Sequence, residues 1–120
     1  MTPSLEVSLG RLRLRNPVMT ASGTSGYGSE LADFFALNRL GAFVTKAITR
    51  VPREGNAAPR LAETRAGLVN AIGLANVGLD VFLTEKLPWL REQGVPVIVN
   101  VAGSTVDEYV EVAGRLDAAE

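Results

Sequence analysis

Three short apolar runs, at residues 18–21, 42–45 and 96–101, recur along the chain, and each is followed in turn by a helical pattern. Strands that alternate with amphipathic helices pair in parallel through right-handed crossovers, because each helix carries the chain back to the same end of the sheet. The first run, Val18-Met19-Thr20-Ala21, follows Asn16-Pro17, which interrupts the preceding pattern. Ser29 is placed to cap a helix through Leu31, Phe34, Phe35, Leu37 and Leu40, with Gly41 ending it. The second run, Ala42-Phe43-Val44-Thr45, ends on Lys46. Its helix carries Leu79, Phe82, Leu83, Leu87 and Leu90, and Pro88 predicts a kink or split there. The third run, Pro96-Val97-Ile98-Val99-Asn100-Val101, is nearly all apolar, as a parallel strand covered on both faces should be. Ser104 with Asp107 reads as a capping-box variant opening a last helix through Tyr109, Val110, Val112, Ala113 and Leu116.

Ahead of these units, residues 6–14 alternate, with Val7 and Leu9 answered by Leu12 and Leu14 across Gly10-Arg11. Period-two alternation around a glycine predicts a hairpin. An open doubly wound sheet would carry Gly-x-Gly-x-x-Gly between its first strand and helix. Here the glycines are Gly23, Gly26 and Gly28, at the wrong spacing. A closed barrel keeps its chemistry on the loops that follow the strands. In this chain those loops hold the glycines and polar residues, and the helix-to-strand connections are short. The fold expected is α/β, an N-terminal hairpin plus the first three βα units of a (β/α)8 TIM barrel. Eight units need about 250 residues, so residues 1–120 are expected to be the N-terminal part of a single barrel domain, incomplete as they stand.

Composition narrows the function classes. Twelve basic against 13 acidic residues give a net charge of −1, without the basic excess of a nucleic-acid binder. No apolar run approaches the roughly 20 residues of a membrane span, and the N-terminus lacks a signal-peptide layout, so no membrane partner and a cytoplasmic location are expected. The chain has no Cys and no His, which disfavours a zinc site and removes the commonest general base.

Candidate chemistry lies on the loops. Lys46, at the end of the second strand, is either a solvated lysine or a fixed positive charge at a barrel mouth. Ser22 and Gly23 serve either as turn residues or as donors that let a cofactor approach the backbone. Asn100 interrupts an apolar strand and needs a hydrogen-bond partner, either a neighbouring backbone group or a ligand. Roughly 30 residues separate the second strand from its helix, where barrel loops usually run about 2–6. That length suggests a lid or binding loop, ending in Asn70-Ala71-Ile72-Gly73-Leu74, whose small residues could expose backbone donors. Arg53, Arg60 and Arg65 are assigned no catalytic role.

Taken in series, six segments resemble the FMN-dependent dihydroorotate dehydrogenases of class 1. They are Asn16-Pro17-Val18-Met19-Thr20-Ala21-Ser22-Gly23-Thr24, Val44-Thr45-Lys46-Ala47-Ile48-Thr49, Pro52-Arg53-Glu54-Gly55-Asn56, Pro59-Arg60 with Glu63-Thr64, Asn70-Ala71-Ile72-Gly73-Leu74 with Asn76, and Asn100-Val101-Ala102-Gly103-Ser104. The Asn-Ala-Ile-Gly-Leu segment is most similar to the 1B branch. The resemblance implies oxidation of dihydroorotate to orotate in pyrimidine biosynthesis, with a proton leaving C5 and a hydride passing from C6 to the flavin. It implies that Ser22, Lys46, Ala47 and Asn100 contact FMN. Lys46 with Asn70, Ala71, Ile72, Gly73 and Leu74 would contact dihydroorotate or orotate. It also implies a homodimer and an iron–sulfur flavoprotein partner subunit carrying FAD and a [2Fe–2S] cluster. No catalytic base is expected among these residues, because the family's Cys base follows the fourth strand. Ala57-Ala58 and Ala75 depart from the family pattern, where proline and glutamine are expected. The alternatives are an inactive barrel fragment or scaffold, and a related flavin barrel such as a dihydropyrimidine dehydrogenase.

Overall fold

The computed structural model describes residues 4–119. Its N-terminal hairpin joins β1 (Val7–Leu9) to β2 (Leu12–Leu14), antiparallel, with Val7 opposite Leu14. Gly10 takes the positive φ (58°) that the tight turn requires. The hairpin gives the core one residue, Leu14, while Leu9 and Leu12 stay exposed.

The parallel layer is built around β3 (Phe43–Val44), which pairs with β6 (Val97–Ile98), Phe43 opposite Val97. The same pairing continues in a parallel bridge between Ile48 and Val101. On the other side of β3 the run at 18–21 makes a parallel bridge, Met19 to Ala42, and does not form a full strand. The reason is Thr20, whose hydroxyl replaces the backbone ladder. It accepts from Val44 N at 2.8 Å and lies 3.0 Å from Val44 O. The three runs thus lie side by side in chain order, as consecutive βα units demand.

The first helix is shorter than its pattern predicts. It spans Ser29–Ala32 as α1, and a separate 3-10 turn covers Leu37–Arg39. Between them Ala36 is extended, which turns Leu37 into the core and leaves Phe34 82% exposed. Ser29 does not cap α1. Gly28 holds the cap position at φ 95°, and the Ser29 hydroxyl bonds Glu30 instead. Weak capping followed by two aromatic residues of modest helix propensity gives little reason for the coil to continue.

The second helical segment runs through Pro88 without a break. α2 (Gly78–Val81) passes into a π turn at Phe82–Lys86 and then into α3 (Leu87–Glu92). Leu87 N bonds to Phe82 O, five residues back, and Pro88 falls in the first turn of α3. The wider turn accommodates the missing proline N–H, so the predicted split becomes a change of ladder. α4 (Val106–Asp117) is capped one residue later than the sequence suggests. Thr105 Oγ1 accepts from Glu108 N at 3.3 Å, and the Glu108 carboxylate accepts from Ser104 N at 2.6 Å. Glu108, longer than Asp107, reaches back across the first turn.

Phe43 and Ile48 beside β6 meet Leu79, Phe82 and Leu90 from the helices, with Leu37 and Val112 closing the core. Tyr27 packs against Phe82, ring centroids 6.0 Å apart.

The excursion between β3 and α2 has secondary structure of its own. It holds a hairpin of β4 (Leu61–Thr64) and β5 (Gly67–Asn70), with Leu61 opposite Asn70 and Glu63 opposite Leu68. All of its residues are exposed, so it shows no buried alternation of the kind that marks a strand in sequence.

Candidate functional site

The C-terminal ends of the three parallel runs open onto one side of the molecule. Thr45 closes β3 as a fully buried residue, and its hydroxyl accepts from Asn100 N at 3.3 Å. Ile48 N in turn donates to Asn100 O at 2.9 Å. With its backbone fixed, Asn100 directs its side chain across the sheet end, and Nδ2 donates to Ser22 Oγ at 2.6 Å. Asn100 is therefore satisfied by a side chain on the first loop. Lys46, which follows β3, is half-buried, its amide bonded to Gly26 O at 2.9 Å. Ala47 beside it is buried.

The segment from Asn70 to Leu74 arrives from the hairpin as a strap over this sheet end. Its carbonyls are tied from behind. Asn56 N donates to Ile72 O at 3.0 Å, and Asn56 Nδ2 donates to Ala71 O at 2.9 Å. In a trans peptide the carbonyl and the following N–H point in opposite directions. The amides of Ile72 and Gly73 consequently point away from Asn56. Among the described residues, the amides of Ile72, Gly73 and Leu74 have no protein acceptor. Gly73 and Leu74 both have positive φ, 77° and 58°. For a leucine this conformation is strained, and the Asn76 side chain helps hold it by donating to Leu74 O at 2.9 Å. Asn76 also ties the two ends of the excursion together. Its backbone pairs with that of Arg53, and its side chain bonds Thr49 and Gly78.

Between loop, sheet end and strap lies an open cleft of about 850 Å³. It is lined by Ser22, Lys46, Ala47, Asn70, Ala71, Ile72, Gly73, Leu74 and Asn100, together with Gly23, Thr24, Leu61 and Leu68. Every residue singled out in the sequence as a site candidate thus borders the same space. Leu61 and Leu68 escaped the sequence reading. The hairpin register explains their position, since Leu61 sits opposite Asn70 and Leu68 is two residues before it, on the same face.

Lys46 is the one ionisable residue lining the cleft, and no carboxylate among the described residues pairs with it. A lone cation and unpaired amides bordering one cleft make it attractive to an anion. The apolar walls, Leu61, Leu68, Ile72 and Leu74, suit a flat ring. The arginines of the excursion are engaged elsewhere. Arg53 donates to Ser104 Oγ at 2.8 Å, and Arg60 donates to the carbonyls of Asn56 and Glu54. Neither borders the cleft, nor does Arg65. Tyr27, in the glycine loop, buries its hydroxyl with no well-formed hydrogen bond among the described residues, and burial pushes its pKa up against a lowering from the Val77 backbone. Among the described residues no three His, Cys, Asp or Glu side chains gather to hold a metal, and no helix is long and apolar enough to cross a membrane.

Residues 4–119 match the family model described as dihydroorotate dehydrogenase. A protein of Pelobacter propionicus called dihydroorotate dehydrogenase B (NAD(+)), catalytic subunit, is 56% identical over 117 residues, covering 98% of this chain and 38% of that protein. The protein of the same name from Trichlorobacter lovleyi is 54% identical over 118 residues, covering 98% of this chain and 39% of its own length. The chain therefore spans well under half the length of these curated relatives. Among solved structures, the DHODH of Eimeria tenella, crystallised with ferulenol, superposes with a TM-score of 0.68 at 21% identity, over 96% of this chain and 34% of that one. That likeness shows the fold, a barrel of the dihydroorotate dehydrogenase type.

Proposed function

Because the chain belongs to the dihydroorotate dehydrogenase family, we propose that it forms the cofactor- and substrate-gripping portion of an FMN-dependent enzyme that oxidises dihydroorotate to orotate. The supporting observation is the single cleft that gathers Ser22, Lys46, Ala47, Asn100 and the strap from Asn70 to Leu74. In this reading Ser22, Lys46, Ala47 and Asn100 hold the flavin ring. The donor set fits: a hydroxyl, a carboxamide and an ammonium suit the polar edge of an isoalloxazine. Small, buried Ala47 leaves room for a flat ring. FMN, when bound, supplies a two-electron acceptor beside the pyrimidine.

The chain's own residues then have distinct tasks. The unpaired amides of the strap and the Asn70 side chain bind and orient the pyrimidine with its carboxylate. Lys46 stabilises negative charge that grows on the pyrimidine–flavin pair during oxidation. Leu61 and Leu68 exclude water from the outer side of the ring. The cleft lining holds no carboxylate, His or Cys, and in this reading the C5 proton goes to a base supplied from outside residues 4–119.

The NAD-linked names of the relatives support the 1B assignment. With it we propose a homodimer working with an iron–sulfur flavoprotein subunit that carries FAD and a [2Fe–2S] cluster, located in the cytoplasm. The test is anaerobic addition of dihydroorotate to the product of the complete reading frame that encodes residues 1–120. Bleaching of a bound flavin with formation of orotate is expected. A purified, folded protein that retains flavin but is not reduced by dihydroorotate would refute the reading.

A further inference from the structure

Asn56 lies outside the cleft, yet it holds two consecutive carbonyls of the strap. Its backbone N–H and its side-chain amide bond consecutive strap carbonyls, those of Ile72 and Ala71. Its carboxamide also fills the space where a side chain on Gly73 would have to go. A Cβ built at Gly73 would fall 2.7 Å from both Asn56 Cγ and Oδ1. Gly73 is thus required by Asn56 as well as by its own positive φ. Asn56 is in turn held by Arg60, whose Nε donates to Asn56 O at 2.5 Å and whose second guanidinium nitrogen donates to Glu54 O at 2.8 Å. Arg60 O accepts from Ala71 N at 2.9 Å, which closes the loop of bonds.

We infer that Asn56 is a positioning residue for anion recognition, turning the amides of Ile72 and Gly73 outward by holding the carbonyls of Ala71 and Ile72 behind the strap. The inference rests on the reading of the cleft as a pyrimidine carboxylate site. Its chemistry is specific to the donor on Nδ2. If that bond is lost, the Ala71 carbonyl is free to rotate and the Ile72 amide rotates with it, because the peptide plane moves as a unit. Strap backbone with mixed orientations would present a weaker field to a carboxylate while leaving the apolar walls in place.

The test uses the complete protein and calorimetric titration with orotate. Asn56→Ala is expected to weaken binding about 3- to 10-fold, the range for one neutral hydrogen bond, with the unliganded unfolding transition little changed because Asn56 is exposed. Asn56→Asp guards against a folding defect, since it keeps the shape and replaces the donor with a carboxylate facing the Ala71 carbonyl. It should bind orotate worse than the wild type at pH 8. The ratio of the two affinities should narrow as pH falls through about 4, the ordinary range of an exposed Asp, as protonation restores a donor. Wild-type affinity in both variants, or an affinity ratio for Asn56→Asp that stays flat with pH, would overturn the inference. A wild-type protein that does not bind orotate would instead overturn the underlying reading of the cleft.

Discussion

At the scale of single residues, the cleft depends on a few groups whose surroundings specify their roles. Lys46 shares the cleft with unpaired amides and has no carboxylate partner among the described residues. Removing its charge should weaken orotate binding at least 10-fold, as expected when a charge-assisted contact worth about 1.5–3 kcal/mol is lost. Titration of Lys46→Ala against the wild type measures this, and equal affinities would contradict the role. Leu74 stores strain at φ 58°. Leu74→Gly should relieve it and stabilise the fold by about 1 kcal/mol in thermal unfolding, while loosening ligand binding at the apolar wall. Lys46 was legible in the sequence because a charge at a strand end stands out. The strain at Leu74 was not, since a backbone dihedral leaves no mark in composition. The partner of Asn100 was legible as a need, but its identity was not. Ser22 lies far away in sequence, and only the parallel layer brings the two within 2.6 Å.

At the scale of elements, the sequence predicts strand and helix identity better than boundaries. Hydrophobic periodicity located α2, α3, α4, β3 and β6. The run at 18–21 became a bridge because the Thr20 hydroxyl competes for the partners on Val44. Pro88 predicts a kink or split, yet the π turn before it accommodates the ring. Pro88→Ala should therefore change stability by less than about 1 kcal/mol, against the roughly 3 kcal/mol of a proline that distorts a helix interior. Chemical denaturation distinguishes the two. The β4–β5 hairpin was missed because its residues are all exposed, and periodicity needs a buried face to be visible.

The head of α4 makes a pH prediction. The Ser104 amide, then the Arg50 guanidinium, hold the Glu108 carboxyl below its ordinary value. A folded-state pKa below the unfolded one contributes stability that is present above the unfolded pKa and lost as pH falls through the folded value. Glu108→Gln should flatten the acid side of the stability–pH profile by lowering stability near neutrality, while wild type and variant converge in acid. A wild-type acid slope in that variant would remove Glu108 from the account.

At the scale of the whole molecule, the parallel arrangement and the placing of chemistry at strand ends could both be argued from loop composition. Closure into a barrel could not be seen within these residues, and the likeness to a solved dihydroorotate dehydrogenase supplies that step. Much apolar surface is left uncovered, including Phe34, Val106 and Val110, and a separate cavity of about 460 Å³ opens between β6, α3 and α4. Residues 4–119 taken alone should therefore associate in solution, which light scattering would register. A monodisperse monomer with a cooperative melt would contradict this.

The central claim is that one cleft, floored by Lys46 and Asn100 and roofed by the strap from Asn70 to Leu74, holds both flavin and pyrimidine. The most direct measurement is a crystal structure of the complete protein grown with orotate. The account predicts a pyrimidine whose carboxylate meets the amides of the strap, with a flavin ring between it and Ser22. Orotate bound elsewhere, with the strap amides facing solvent or other protein groups, would contradict it.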